Sequence, residues 1–362
     1  MSYVIFLCIL VGLILVHELG HFLVAKAFKI RVDEFGIFFP PRLFAKKFGE
    51  TEYSVNMIPL GGFVRIFGEN PKDGASDPRS LSRKSRFVQA AVLVAGITFN
   101  ILFAWLALSV GYMVGMQTSV DHAGFGQVQN AHVLITEVVP GSPADKAGIK
   151  PNDVLDMAQT GTAMLGEHAT ADQVQSFIFA HQDESLVVTL SRGGKKLNLL
   201  AKPTEGIVPG HKAIGVAFDD VGVLKLPPHV ALAEGAILTE RMTVAVAQGL
   251  GGFFMQLVRG AANWGGVAGP VGIAGIGSAA VKTGFAATII LTAMISINLA
   301  IVNLLPIPGL DGGRLLIVAI EGIIRRPLPE KWVMRATIAG FSLLALLMIV
   351  ITFHDILHLI RT

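Results

Sequence analysis

Five consecutive residues, His17-Glu18-Leu19-Gly20-His21, carry the chain's most chemically pointed pattern. On a helix the two histidines are four positions apart, so both imidazoles project from one face. That spacing can put two nitrogens on one zinc ion, with Glu18 beside it as general base for a water. The setting is unusual. No charge occurs from Tyr3 to Val16, and the chain is apolar again from Phe22 to Ala25. Ionisable groups in an apolar span are costly, which marks them as functional by default.

A three-ligand zinc site leaves a fourth position open, so a third donor is needed. It is expected at Asp311, within Asn303-Leu304-Leu305-Pro306-Ile307-Pro308-Gly309-Leu310-Asp311-Gly312-Gly313. Two prolines break a helix here. Irregular backbone at membrane depth is tolerated where it is buried or lines a cavity. A second pair, His354-Asp355-Ile356-Leu357-His358, also has helical spacing. It has the shorter Asp between its histidines and no third ligand nearby, so it reads as interfacial polar residues. The remaining histidines are scattered and read as non-catalytic.

Composition sets the frame. Of 362 residues, 52% are hydrophobic and 15% charged, as in integral membrane proteins. A net charge of +3 is too mild to argue for nucleic acid. The single cysteine, Cys8, excludes an intramolecular disulfide. The first apolar run lacks a basic leader and a small-x-small cleavage site, so it is expected to be a retained helix.

The expected architecture is a polytopic α-helical membrane protein with four transmembrane helices, a cytoplasmic-side β-hairpin and one extracytoplasmic α+β domain. The spans are expected at about 3–25, 88–112, 284–305 and 336–353. Lys26 to Arg86 is rich in basic residues, as is Arg314 to Arg335, and no Lys or Arg precedes the first span. Both basic loops are therefore expected in the cytoplasm and both termini outside. The His17–His21 pair and Asp311 then both lie toward the cytoplasmic side, where they can meet, and His354–His358 lies at the external end of the fourth span.

The first loop holds strand-like runs, Thr51–Ile58 and Phe63–Phe67, around Pro59-Leu60-Gly61-Gly62. They read as a hairpin over 51–67. It is either a plain surface hairpin or an edge that clamps an extended substrate by main-chain hydrogen bonds. Gly68–Arg86 reads as a loop. Asn100, near mid-membrane in the second span, is either a packing residue or a group at a polar cavity.

Outside the membrane, Ser142-Pro143-Ala144 starts a short capped helix. Strands are expected at His132–Val139, Val154-Leu155, Ser185–Ser191 and Lys196–Ala201, with a helix over Ala171–Ala180. The Gly-Ser-Pro-Ala…Ala-Gly…Pro-x-Asp-Val stretch (141–154) resembles a bacterial PDZ domain over 125–204. Thr160-Gly161 stands where an Asn-Gly turn is usual, so peptide binding, size filtering and scaffolding all stay open. Residues 205–282 read as a linker with an amphipathic helix over Pro228–Ala262.

Taken together, the chain resembles the site-2 protease family of intramembrane zinc metalloproteases. It is closest to the bacterial sigma-factor-regulating branch with a PDZ domain. The resemblance rests on His-Glu-x-x-His, Asn-x-x-Pro-x-Pro-x-x-Asp-Gly, Gly-x-x-x-Asn (96–100), Pro-Leu-Gly-Gly-Phe-Val (59–64) and Gly-Pro-Val-Gly-Ile (269–273). It implies Zn²⁺ on His17, His21 and Asp311, with Glu18 as catalytic base. It further implies that Asn100, Gly61, Gly62 and Asn303 help hold a single-pass membrane substrate. Implied substrates are a pre-trimmed anti-sigma factor or a remnant signal peptide, in the bacterial inner membrane, with no nucleic-acid partner. That branch often carries two PDZ domains, whereas one is visible here. The rival reading is a non-catalytic membrane scaffold presenting that domain; a transporter with a broken third span is weaker. The intact Glu18 favours the protease.

Overall fold

The computed structural model describes residues 1–69, 77–122, 124, 126–166, 168–208, 210–261 and 269–361. Phe125 and Ala262, expected ends of two segments, and part of the expected loop 68–86 lie outside them. In chain order the elements are α1 (Ser2–Ala27), β1 (Val32–Phe48), β2 (Thr51–Ile66), α2 (Arg86–Val114), β3 (Met116–Ser119) and β4 (Gln129–Val138). Next come α3 (Pro143–Lys146), β5 (Val154–Gln159), β6 (Met164–Leu165), α4 (Ala171–Ala180), β7 (Leu186–Arg192), β8 (Lys195–Ala201), β9 (Thr204–Val208), β10 (His211–Ala213) and β11 (Val216–Leu224). The chain continues as α5 (Pro228–Val258), α6 (Pro270–Thr283), α7 (Phe285–Leu304), α8 (Asp311–Ile324) and α9 (Glu330–Arg361). Two compact units result. One is Met1–Val110 with Gly235–Thr362, the other Gly111–Glu234.

Among the described residues four helices are long and apolar enough to cross a membrane: α1, α2, α7 and α9. In the first unit a core of Ala25, Ile30, Val32, Ile66, Leu81 and Val92 joins the end of α1 to the sheet and to α2.

The expected hairpin over 51–67 is corrected. Its two runs do not pair with each other. Residues 34–37 lie between them, pairing with 62–65 on one side and 52–55 on the other. The tight turn is instead Gly49-Glu50, joining 42–48 to 51–56. Asp33 and Glu34 disguise the inner strand in the sequence. Yet Glu34 is buried, accepting from Ser54 Oγ at 2.6 Å and Arg42 Nη2 at 3.0 Å, with Arg65 at 3.3 Å. A buried carboxylate so paired is compatible with a strand interior.

In the second unit a twisted sheet runs β3-β11-β4-β5-β7-β8, with β6 on β5. Its core is built on Val133, Ile135, Leu155, Val174, Leu186 and Leu190. Ser142 caps α3, and Thr170 with Gln173 forms a capping box on α4. The expectation of a linker from 205 is corrected, because β11 inserts between β3 and β4. Asp219 and Asp220 mask it in the sequence. Asp219 is satisfied by Ser119 Oγ at 2.8 Å and Asp220 by the Ala171 N–H at 2.9 Å. The turn-rich entry at 269–273 is also corrected: it opens the 14-residue helix α6.

Candidate metal centre

The apolar α1 carries His17 and His21 on one face, and both are buried. Residues Leu305–Leu310 turn the chain from α7 into α8, which starts on Asp311. Pro306 and Pro308 lack amide donors, and short local bonds (Ile307 N–H to Leu305 O at 2.7 Å) hold the turn. A Cβ on Gly312 would lie 2.2 Å from the Leu304 carbonyl oxygen, so only glycine lets α8 tuck under the turn. That tuck brings Asp311 to the histidines.

The three donors form a tight triangle. His17 Nε2 lies 3.0 Å from Asp311 Oδ2, and His21 Nε2 lies 3.2 Å from both Asp311 Oδ2 and His17 Nε2. His21 Nδ1 is 2.8 Å from the Val92 carbonyl, so it carries the proton and leaves Nε2 a bare lone pair. A bare nitrogen facing a carboxylate calls for a cation between them. Tetrahedral zinc with bonds of about 2.0–2.1 Å has ligand separations of about 3.3 Å, close to this triangle. Zinc therefore fits the donor set.

The helix α2 forms the wall behind the site. A Cβ on Gly96 would lie 2.4 Å from His21 Nε2 and 2.8 Å from His17 Nε2, so the glycine makes room for both rings. Fully buried Asn100, one turn on, places its amide nitrogen 3.3 Å from His17 Nδ1 and leaves Oδ1 without a partner. With Nε2 aimed at the cluster, Nδ1 is the protonated nitrogen and needs an acceptor. Amide nitrogen and oxygen differ only by a half-turn. The turned amide accepts from Nδ1–H and fixes the ring as an outer partner of a metal ligand does. Ser296 of α7 donates to the Asn100 carbonyl at 2.8 Å and ties α7 to this wall.

Glu18 stands beside the triangle under β2. A Cβ on Gly62 would lie 3.8 Å from Glu18 Cγ, and one on Gly61 3.6 Å from Ile14 Cγ2. Gly62 is thus brought to Glu18, with Gly61 next along α1. Asn303 is half-buried on the last turn of α7, and no hydrogen bond links it to the cluster among the described residues. Gly96 belongs to the Gly-x-x-x-Asn motif (96–100), which by itself gives it no role at the metal ligands, and Val92 belongs to no motif. The spacing of four between Gly96 and Asn100 puts both on one helix face. A backbone carbonyl such as Val92 leaves no trace in the sequence.

The second histidine pair is resolved differently. Asp355 is buried, and its carboxylate accepts from the Gly269 N–H at 3.1 Å and the Gly272 N–H at 2.8 Å. It caps α6. Among the described residues His17, His21 and Asp311 are the cluster able to hold a metal.

Long apolar helices around a His-His-Asp cluster, with a glutamate at its side, define a membrane-embedded metal-dependent hydrolase. Comparison with known proteins makes the class specific. The chain belongs to Peptidase family M50, the site-2 proteases, whose family pattern it matches over residues 5–349. It is 29% identical over 425 residues to zinc metalloprotease RasP of Geobacillus kaustophilus, covering 98% of this chain and 97% of the relative. It is 34% identical over 356 residues to a Clostridium perfringens protein provisionally named a zinc metalloprotease, covering 96% of each chain. The chain is a zinc metalloprotease with several membrane-spanning helices.

Proposed function

We propose that this protein is an intramembrane endopeptidase that cleaves single-pass membrane proteins at a zinc ion held by His17, His21 and Asp311. The observation that carries the reading is Glu18 beside three converging donors at the level where β2 passes α1. Bound zinc would polarise the scissile carbonyl and lower the pKa of its water. Glu18 takes the proton from that water and delivers it to the leaving amine. His21 is held by Val92 and His17 by Asn100, so both rings keep their metal-facing nitrogens aimed.

A helical substrate hides its amides, so it must unwind before cleavage. The free edge of β2 near Gly61 and Gly62 offers main-chain groups to such an extended stretch, with Asn303 as a further contact. The basic stretches between the first two and last two spans favour a cytoplasmic side there, which puts both termini and the sheet unit outside a bacterial inner membrane. The sheet unit acts as a PDZ-like module, holding peptide ends or filtering substrates by size. Substrates are anti-sigma factors already trimmed outside, or remnant signal peptides.

The test uses purified wild type and Glu18→Gln, with zinc measured per chain and cleavage of a single-pass reporter substrate followed. Both should hold about one zinc, and Glu18→Gln should lose cleavage by about 10²–10⁴-fold. Zinc-free wild type, or equal cleavage by the two, would sink the proposal. A non-catalytic scaffold would show no such difference.

A further inference from the structure

The helix that begins on Asp311 buries little of itself. Among its residues Gly312 and Gly313 are buried, while Leu316, Ile323 and Ile324 are exposed. The two glycines fix where α8 starts. Two ion pairs along one face, at Arg314 and Glu321, two turns apart, hold how it runs from there. Glu321 Oε2 meets Arg86 Nη1 at 2.6 Å, at the start of α2. The Glu321 Oε1 accepts from the Leu328 N–H at 2.9 Å. Arg314 pairs with Glu69, just past the end of β2.

Glu69 is a firm anchor. Its N–H donates to the Ile66 carbonyl at 3.3 Å. The turn beneath it is fastened from two sides: the Phe67 N–H donates to the Arg31 carbonyl at 3.0 Å, and the Phe67 carbonyl accepts from the Leu81 N–H at 2.9 Å. Gly68 makes the turn at a φ of +75°, where the Ser80 side chain leaves no room for a Cβ. The Arg314 guanidinium holds Glu69 at two points, the carboxylate through Nη1 and the main-chain carbonyl through Nη2 at 3.5 Å. The two side chains are 37% and 36% exposed, so the pair adds little to global stability. What it adds is a fixed relation between two elements.

Those elements lead to the two halves of the site. Along β2, Gly62 lies beside Glu18, and the strand runs on from there to Ile66 and the Glu69 turn. Along α8, Arg314 is one turn, about 4.5 Å of rise, beyond Asp311. We infer that Arg314 is a positioning residue for cleavage: through Glu69 it sets the spacing between Asp311 and the free edge of β2, and so the register at which an unwound peptide on that edge meets the metal donors. The inference rests on the protease reading above, with β2 as the edge that carries the substrate. A misplacement of about 1 Å between a held substrate and the reacting groups can cost about 10²-fold in rate. Loss of one exposed pair costs folding only about 0–1 kcal/mol. Positioning and plain structural support therefore separate in the kinetics.

The test uses the full chain and the single-pass reporter substrate. Arg314→Met keeps the aliphatic stem and removes the guanidinium, and Glu69→Ala removes the carboxylate. Each should lower kcat about tenfold, with KM and zinc per chain at their wild-type values. The double variant should lose no more than either single one, since both cut the same link. Arg314→Lys keeps the charge without the two-point grip and should retain more rate than Arg314→Met. Lys26→Ala breaks the pair with Glu50 at the Gly49-Glu50 turn and should leave kcat unchanged. Losses that multiply in the double variant, a change in KM or zinc without one in kcat, or an equal loss in Lys26→Ala overturn the inference. So do single variants as fast as wild type, or no gain from Arg314→Lys over Arg314→Met. Failure of the wild type to cut the reporter would instead refute the protease reading.

Discussion

Gly96 stands so close to His21 that a methyl group there would sit 2.4 Å from the ring's Nε2. No carbon tolerates that separation, and α2 cannot yield, because buried Asn100 and Ser296 tie it to α7. The rings must move instead. Gly96→Ala is therefore expected to lower zinc occupancy and cut cleavage by roughly 10–100-fold, the scale set by disturbed ligand orientation. Metal analysis of the purified variant beside wild type checks this, and full zinc with full activity would refute it.

Asn100 tests the orientation of His17. Asn100→Leu keeps the branch at Cγ, with added bulk, but removes the acceptor for Nδ1–H, leaving a buried donor unpaired at about 1–3 kcal/mol. Zinc affinity should fall about 10–100-fold. Asn100→Asp retains an acceptor and should recover much of that affinity. A competition titration against a chelator ranks the three proteins, and an affinity for Asn100→Leu equal to wild type would contradict the role.

Much of the candidate metal centre was legible because the arrangement depends on local spacing. His17, Glu18 and His21 occupy one helical turn, and Asp311 follows a proline-broken stretch with no other evident purpose. The unread parts depend on contacts distant in sequence. The strand over 34–37 was hidden because Glu34 looks like a surface residue and becomes acceptable only once Arg42, Ser54 and Arg65 surround it. In the same way β11 carries Asp219-Asp220, whose partners Ser119 and Ala171 lie 100 and 49 residues away. Periodicity finds elements whose polar residues face water, and it fails where they face one another.

The sheet unit makes a pH-dependent prediction. Asp153 is buried, which disfavours its charge, yet Arg192 and the Lys150 amide hold its carboxyl below the ordinary value. Arg192 meets Oδ1 and Oδ2 at 2.6 Å each and also donates to the Gly148 carbonyl at 2.7 Å. A depressed folded value means the stabilisation is fully present above the unfolded value, near 3.9. It is lost as pH falls through the folded value. Asp153→Asn should destabilise the unit by about 1.5–3 kcal/mol at pH 7, discounted because Arg192 is partly exposed. The gap to wild type should narrow only below about pH 4. Pulse proteolysis of the full chain across pH reads both, and a gap that closes at neutral pH would refute the pairing.

Asp355 joins two helices that otherwise meet little. α9 is the least buried of the four long apolar helices, so each of its contacts weighs heavily. In its first half Gly340 lies against the Pro308 carbonyl, and Phe341 against Gly309, two residues before Asp311. Toward its other end the Asp355 carboxylate takes two amides at the start of α6, whose Gly277 packs on Phe6 of α1. A carboxylate on a helix N-terminus satisfies orphan donors and favours the helix dipole, worth about 1–2 kcal/mol. Asp355→Ala should therefore loosen the C-terminal half of α9 from α6 and leave the candidate metal centre intact. Hydrogen exchange should speed up by about 5–30-fold at the Gly269 and Gly272 amides, while zinc per chain stays at the wild-type value. Unchanged exchange at both amides would mean that water or the chain itself replaces the cap, and that Asp355 does not fasten α9. Loss of zinc would mean that the C-terminal half of α9 is coupled to Asp311 through Gly340 and Pro308.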